Sequence, residues 1–133
     1  VSSRWTLEVR VGIDAQPVSE VIAALEQHGD AYRRRLFTDH EVRSSGGWGA
    51  DAATSAPRLA ARFAAKEAVL KVLRPDTVVP GWREIEVVRM PAGWCRIVLS
   101  GRAERLAEAA GLTEFDVSLS HTVDLAVAAV VAA

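Results

Sequence analysis

Two carboxylates stand where hard-cation chemistry would need them. Asp14 closes an alternating run, with Trp5, Leu7, Val9, Val11 and Ile13 set against Thr6, Glu8, Arg10 and Gly12, and Glu67 interrupts a long apolar segment. Proteins commonly hold Mg2+ through one or two carboxylates, with water and phosphate oxygens filling the remaining positions. Asp14 equally suits a turn or a helix cap, as an acid between a strand and a helix. Around Glu67 the segment also carries Arg62, Lys66 and Lys71. Burying an unpaired charge costs several kcal/mol, so these groups need partners. Two readings fit. In one, Glu67 and Lys71 form an i,i+4 pair worth ~0.2–0.5 kcal/mol while Arg62 and Lys66 reach solvent along their stems. In the other, the helix lines an anion site.

His121 follows a run in which Phe115, Val117 and Leu119 face one way and Asp116, Ser118 and Ser120 the other. Parity puts it on the apolar face unless a turn redirects it. It reads either as a hydrogen-bonded structural residue or, with the hydroxyls of Ser120 and Thr122 beside it, as a ligand contact. Strand geometry speaks against a Ser120–His121 nucleophilic pair, because strand neighbours point to opposite faces. Gly46-Gly47-Trp48-Gly49 lacks the Lys-Ser or Lys-Thr that would make it a phosphate loop. Arg33, Arg34 and Arg35 read as a solvated face or a protein-docking patch, or, more remotely, as a nucleic-acid contact whose affinity would fall steeply with salt.

The elements that must position these groups follow from periodicity. The alternation through Ile13 predicts a strand with its apolar face buried. Val18, Val21, Ile22 and Leu25 recur at helical spacing up to Gly29, and Tyr32 to Phe37 continues as a second short helix. Thr38 to Ser55, which contains three glycines, reads as a mobile loop. Pro57 suits a first helical turn and Pro75 a stop, giving a long helix from about Pro57 to about Leu73 that is apolar nearly all round and therefore buried. Ile85 to Met90 and Trp94 to Leu99 predict a hairpin, and Arg102 to Ala110 a helix. Phe115 to Ser120 and Leu125 to Val131 predict a closing strand pair. The expected fold is α+β, a largely antiparallel sheet packed against the long central helix, as a single domain over residues 1–133.

Composition excludes several classes. The 133 residues are half apolar and 25% charged with a net charge of −1, so the chain exerts no global pull on nucleic acid or membrane. Cys95 is the only cysteine, so an intramolecular disulfide and multi-cysteine zinc sites are excluded and a reducing cytoplasm fits. No run approaches a membrane span. Residues 1–10 lack the basic start and apolar core of a secretory signal.

Val11-Gly12-Ile13-Asp14, then Arg62-Phe63-Ala64-Ala65-Lys66-Glu67-Ala68 with Lys71, then Val117-Ser118-Leu119-Ser120-His121 resemble holo-acyl-carrier-protein synthase, the small 4′-phosphopantetheinyl transferases. The likeness runs from about Leu7 to Val131. It implies that fold, and transfer of phosphopantetheine from coenzyme A to a serine of an apo acyl carrier protein with release of adenosine 3′,5′-bisphosphate. It further implies Mg2+ on Asp14 and Glu67 and a homotrimer with active sites between subunits. On that resemblance Asp14, Glu67 and Lys71 are the expected catalytic residues. Arg62, Lys66, Lys71, His121 and Thr122 are the expected cofactor contacts, although Lys66 also suits a partner within the protein. The serine proton would pass to Glu67 or to a metal-linked water.

The sequence departs from the family in three places, one of them the glycine-rich loop, which replaces a usually tidier segment. The family usually follows the first aspartate with an apolar residue and an acid and places a basic residue in the first helix, whereas Ala15-Gln16-Pro17-Val18 follow here and Glu20 and Glu26 are that helix's charged residues. Docking of an acidic carrier is therefore expected at Arg33, Arg34 and Arg35. The family's glycine-basic-proline hairpin is replaced by Gly93-Trp94-Cys95, so the family's nucleotide contacts there are not carried over. The alternative in a different class is a non-catalytic module that binds carrier protein or coenzyme A and has kept the fold.

Overall fold

The computed structural model describes residues 8–133; Trp5 and Leu7 of the expected first strand lie outside them. The elements run β1 (Arg10–Pro17), α1 (Val18–His28), α2 (Asp30–Leu36), α3 (Asp39–Arg43), α4 (Ala52–Leu73), β2 (Ile85–Arg89), β3 (Cys95–Leu99), α5 (Gly101–Ala109), β4 (Phe115–His121) and β5 (Leu125–Ala132). The strands form two antiparallel sheets, one ordered β1-β5-β4 and the other the β2-β3 hairpin. The α+β architecture with antiparallel sheets around one long helix agrees with the sequence reading. Among the described residues no helix is long and apolar enough to cross a membrane.

Helix α4 is the spine. Leu59, Ala60, Ala61, Ala64, Ala65, Ala68, Val69 and Val72 are all buried, which is why its apolar residues encircle it. The inner face of the larger sheet offers Ala126, Ala128, Val130 and Ala132 of β5, also buried. Small side chains on both surfaces let backbone approach backbone. The closest approach is at Gly12, where an added Cβ would lie 2.1 Å from the carbonyl oxygen of Ala68.

That contact inverts the expected burial of β1. Arg10, Gly12, Asp14 and Gln16 face α4, with Arg10 donating to the Val72 carbonyl, while Val11 and Ile13 are 67% and 60% exposed. The alternation is present, but its apolar side is the outer one. Only the side bearing glycine fits against the helix.

Two further expectations are corrected. The helix begins at Ala52 and not near Pro57, because the Asp51 carboxylate caps it by accepting from the Thr54 N–H. Thr38 to Ser55 is also no free loop. Thr38 and Glu41 form a capping box that starts α3. The glycines after it are tethered, since Asp30 accepts from the Gly49 N–H and Arg33 donates to the Ala50 carbonyl.

Gly12→Ala tests whether β1 must touch α4. The methyl group has no room, and we expect a loss of about 3 kcal/mol in urea denaturation, at the upper end of overpacking costs. An unchanged midpoint would show that the strand can lift away.

Candidate active site

The Gly12 contact carries Asp14, two residues on along the same face, to the flank of α4 where Glu67 and Lys71 emerge. Lys71 donates to the Ile13 carbonyl at 2.6 Å and to Asp14 Oδ1 at 3.3 Å. Its ammonium is therefore paired with β1, in place of the Glu67–Lys71 pair open from the sequence. Glu67 is partly buried and its carboxyl titrates above the usual carboxylate range. Loss of water is the larger cause and the nearby Asp14 carboxylate the second, offset in part by Lys71. The Asp14 carboxylate beside Glu67 makes a pair of oxygen donors that suits a hard divalent cation such as Mg2+. No third carboxylate, histidine or cysteine joins them among the described residues, so the protein offers two ligands and leaves the other positions to water or substrate oxygens.

A second constellation lies on the other flank of α4. A cleft of about 240 Å³ is lined by Arg58, Arg62, Arg89, Cys95, Leu119 and His121, among others. His121 belongs to β4, pairs with Ala126 and keeps the parity of Leu119, which turns it inward to the cleft. Arg62 is buried, donates to the Arg58 carbonyl, and leaves its Nε without a partner. Burial pushes its pKa down, the mark of a cation short of compensating charge. Arg58 and Arg89 were missed from the sequence. The first had a signal, since it stands one helical turn before Arg62. Arg89 did not, because it reaches the cleft through the hairpin register that sets it opposite Cys95.

Three of the site residues expected from the sequence are placed elsewhere. Lys66 is no cofactor contact. It is 0% exposed, and its ammonium meets Glu41 at 2.8 Å and donates to the Trp82 and Ile85 carbonyls, which uses all three of its protons. Glu41, equally buried, also accepts from the Val87 N–H, so the pair ties α3 and α4 to β2. Arg33 is no docking residue either. At 3% exposure it spans Asp30, the Ala50 carbonyl and Ser55, whereas Arg34 and Arg35 are exposed. The Thr122 hydroxyl closes the β4–β5 turn by accepting from the Asp124 and Leu125 N–H groups, and Thr122 does not line the cleft.

The profile of the 4′-phosphopantetheinyl transferase superfamily matches residues 10–129. A holo-[acyl-carrier-protein] synthase of Gloeobacter violaceus is 39% identical over 121 residues, covering 91% of this chain and 89% of the relative. Among solved structures, an ACPS–CoA complex of Chronobacterium ammoniagenes superposes with a TM-score of 0.80 at 27% identity, covering 95% of this chain and 97% of that one. The acyl carrier protein synthase of Mycobacterium tuberculosis gives 0.67 at 32% identity, covering 92% and 95%.

The buried ion pair offers a test of the corrected role of Lys66. Lys66→Met strands the Glu41 carboxylate in the core and is expected to cost about 3–5 kcal/mol, whereas Glu41→Leu/Lys66→Met removes both charges and is expected to cost less than either single change. Denaturation of all three variants gives the coupling. Additive losses would show that the pair carries no specific interaction.

Proposed function

Because this chain belongs to the 4′-phosphopantetheinyl transferase superfamily and to its holo-[acyl-carrier-protein] synthases, we propose that it transfers phosphopantetheine from coenzyme A to a serine of an apo acyl carrier protein. The observation that carries this reading is the facing of Asp14 and Glu67 beside Lys71. The donor set fits Mg2+, and these two carboxylates would hold it. When bound, the ion would draw negative charge from the pyrophosphate oxygens of coenzyme A.

The chain's own groups do the rest. Lys71, half exposed yet anchored to the Ile13 carbonyl, presents a fixed cation to the pyrophosphate. Arg58, Arg62, Arg89 and His121 hold the phosphates of the nucleotide end in the cleft. The carrier serine gives its proton to Glu67 or to a water held beside it. The serine oxygen bonds to the phosphorus on the pantetheine side, the bond to the adenosine phosphate breaks, and adenosine 3′,5′-bisphosphate leaves. Arg34 and Arg35 form the basic surface for an acidic carrier, because α1 presents Glu20 and Glu26.

We further propose that the sites are shared between subunits of a homotrimer. Glu67 and Arg62 are five residues apart, about 140° around an α-helix. β1 and β4 are separated by β5, about 10 Å across the sheet. One protomer thus points its carboxylates and its arginine cleft to opposite flanks, and a neighbouring copy can bring the missing half. The exposed apolar strip of Val9, Val11, Ile13, Leu125 and Val131 on the outer sheet face supplies the surface for that contact.

Two experiments check these statements. Incubated with coenzyme A, Mg2+ and a panel of apo carrier proteins, the protein should add one phosphopantetheine mass to at least one of them. Glu67→Gln should lower turnover by about 10²–10⁴-fold without unfolding. Binding of a carrier with no mass gain would mark a non-catalytic module instead. For the shared site, Glu67→Gln and His121→Ala chains, each inactive alone, should recover part of the turnover when co-expressed. Sedimentation as a trimer with no such recovery would place each site within one subunit.

A further inference from the structure

The arginine cleft contains a group that the transfer reaction does not use. Cys95 is partly exposed and unpaired, opens β3, and stands in the cleft wall with Arg58, Arg62, Arg89 and His121. A thiol alone would indicate nothing. Arg62 is the independent sign of a ligand here: it is 4% exposed, its Nε donates to nothing, and no carboxylate pairs with it among the described residues. No acid lines the cleft. An anion drawn to these cations is brought against the sulfur of Cys95.

We propose that Cys95 is a thiol–disulfide exchange site for small anionic disulfides, and that the mixed disulfide it forms blocks the cleft. That the blocked cleft is the nucleotide site of coenzyme A rests on the transferase reading above. The step balances. The Cys95 thiol loses its proton to water, and its sulfur attacks one sulfur of the incoming disulfide. That S–S bond breaks as the Cys95–S–S bond forms, and the other half leaves as a thiolate that takes up a proton. Cys95 is oxidised, the departing half is reduced, and a second small thiol reverses the exchange.

The test follows the intact mass of the protein with glutathione disulfide and with the uncharged hydroxyethyl disulfide, each rate normalised to that of a free thiol. One glutathionyl adduct should form about tenfold faster, so normalised, than the neutral adduct. The advantage should shrink at high salt and in Arg58→Ala/Arg89→Ala, whose altered side chains are exposed in the parent and leave the core intact. Adenosine 3′,5′-bisphosphate should slow the reaction. Equal normalised rates, or no adduct on protein that transfers phosphopantetheine, would overturn the exchange site and leave the transferase standing. An anion-selective adduct that the nucleotide does not slow would support the exchange site and overturn the nucleotide assignment of the cleft.

Discussion

The distance between β1 and α4 governs everything that can happen at the site. Gly12 leaves no gap to the Ala68 carbonyl, so strand and helix meet backbone to backbone. A strand held so close delivers its next same-side residue, Asp14, to the helix surface, where Glu67 and Lys71 lie one turn apart. The loss of water that raises the Glu67 pKa and the Asp14 charge that adds to it are both results of this approach. The alanines of α4 and β5 extend the same constraint across the sheet, at the expense of the larger apolar burial that leucine or isoleucine would bring.

The opposite flank is held by charge. Lys66 projects from α4 into a space closed by α3, the 3₁₀ turn at Trp82–Glu84 and β2, and its three protons meet Glu41 and two carbonyls. Such a pair contributes little net stability over an apolar replacement, because desolvating both ions offsets their attraction. Its physical effect is positional, since each element it touches must be in register for either charge to be satisfied. Arg33 does the same for α2, the glycine segment and the start of α4. Arg62, buried and without a carboxylate, faces the cleft beside the exposed Arg58 and Arg89. Buried charges that are fully paired hold the frame, whereas Arg62 is buried and short of a carboxylate.

This distinction explains which parts of the molecule could be read in the residues. The long helix, its end at Leu73, both hairpins and the α+β class follow from periodicity and prolines, which are local properties. Asp14, Glu67 and Lys71 stand out because charges in an apolar or alternating run are conspicuous. The role of Lys66 does not, since its partner Glu41 is 25 residues away in a segment whose glycines read as a loop. The Thr38-x-x-Glu41 capping box is the one local signal for the helix that carries Glu41, and the glycines after it mask it. Arg33 looks like its neighbours because a run of like residues hides which one turns inward. Hydrogen-bond partners far apart in sequence, and not propensity, separate these cases.

The inversion of β1 ties the carboxylate pair to the outer face of the sheet. An alternating strand ordinarily buries its apolar face, and here that would bring Val11 and Ile13 against α4, where even a methyl group does not fit at the neighbouring position. Gly12 therefore selects the inward face, and the two-residue period of alternation leaves no freedom for the other side. The aliphatic residues must turn outward, where they line up with Leu125 and Val131 of β5 as a continuous apolar strip. A strip of this kind on a small protein calls for a covering surface. The geometry that sets two carboxylates beside α4 is the same geometry that turns an apolar strip to the outer face of the sheet.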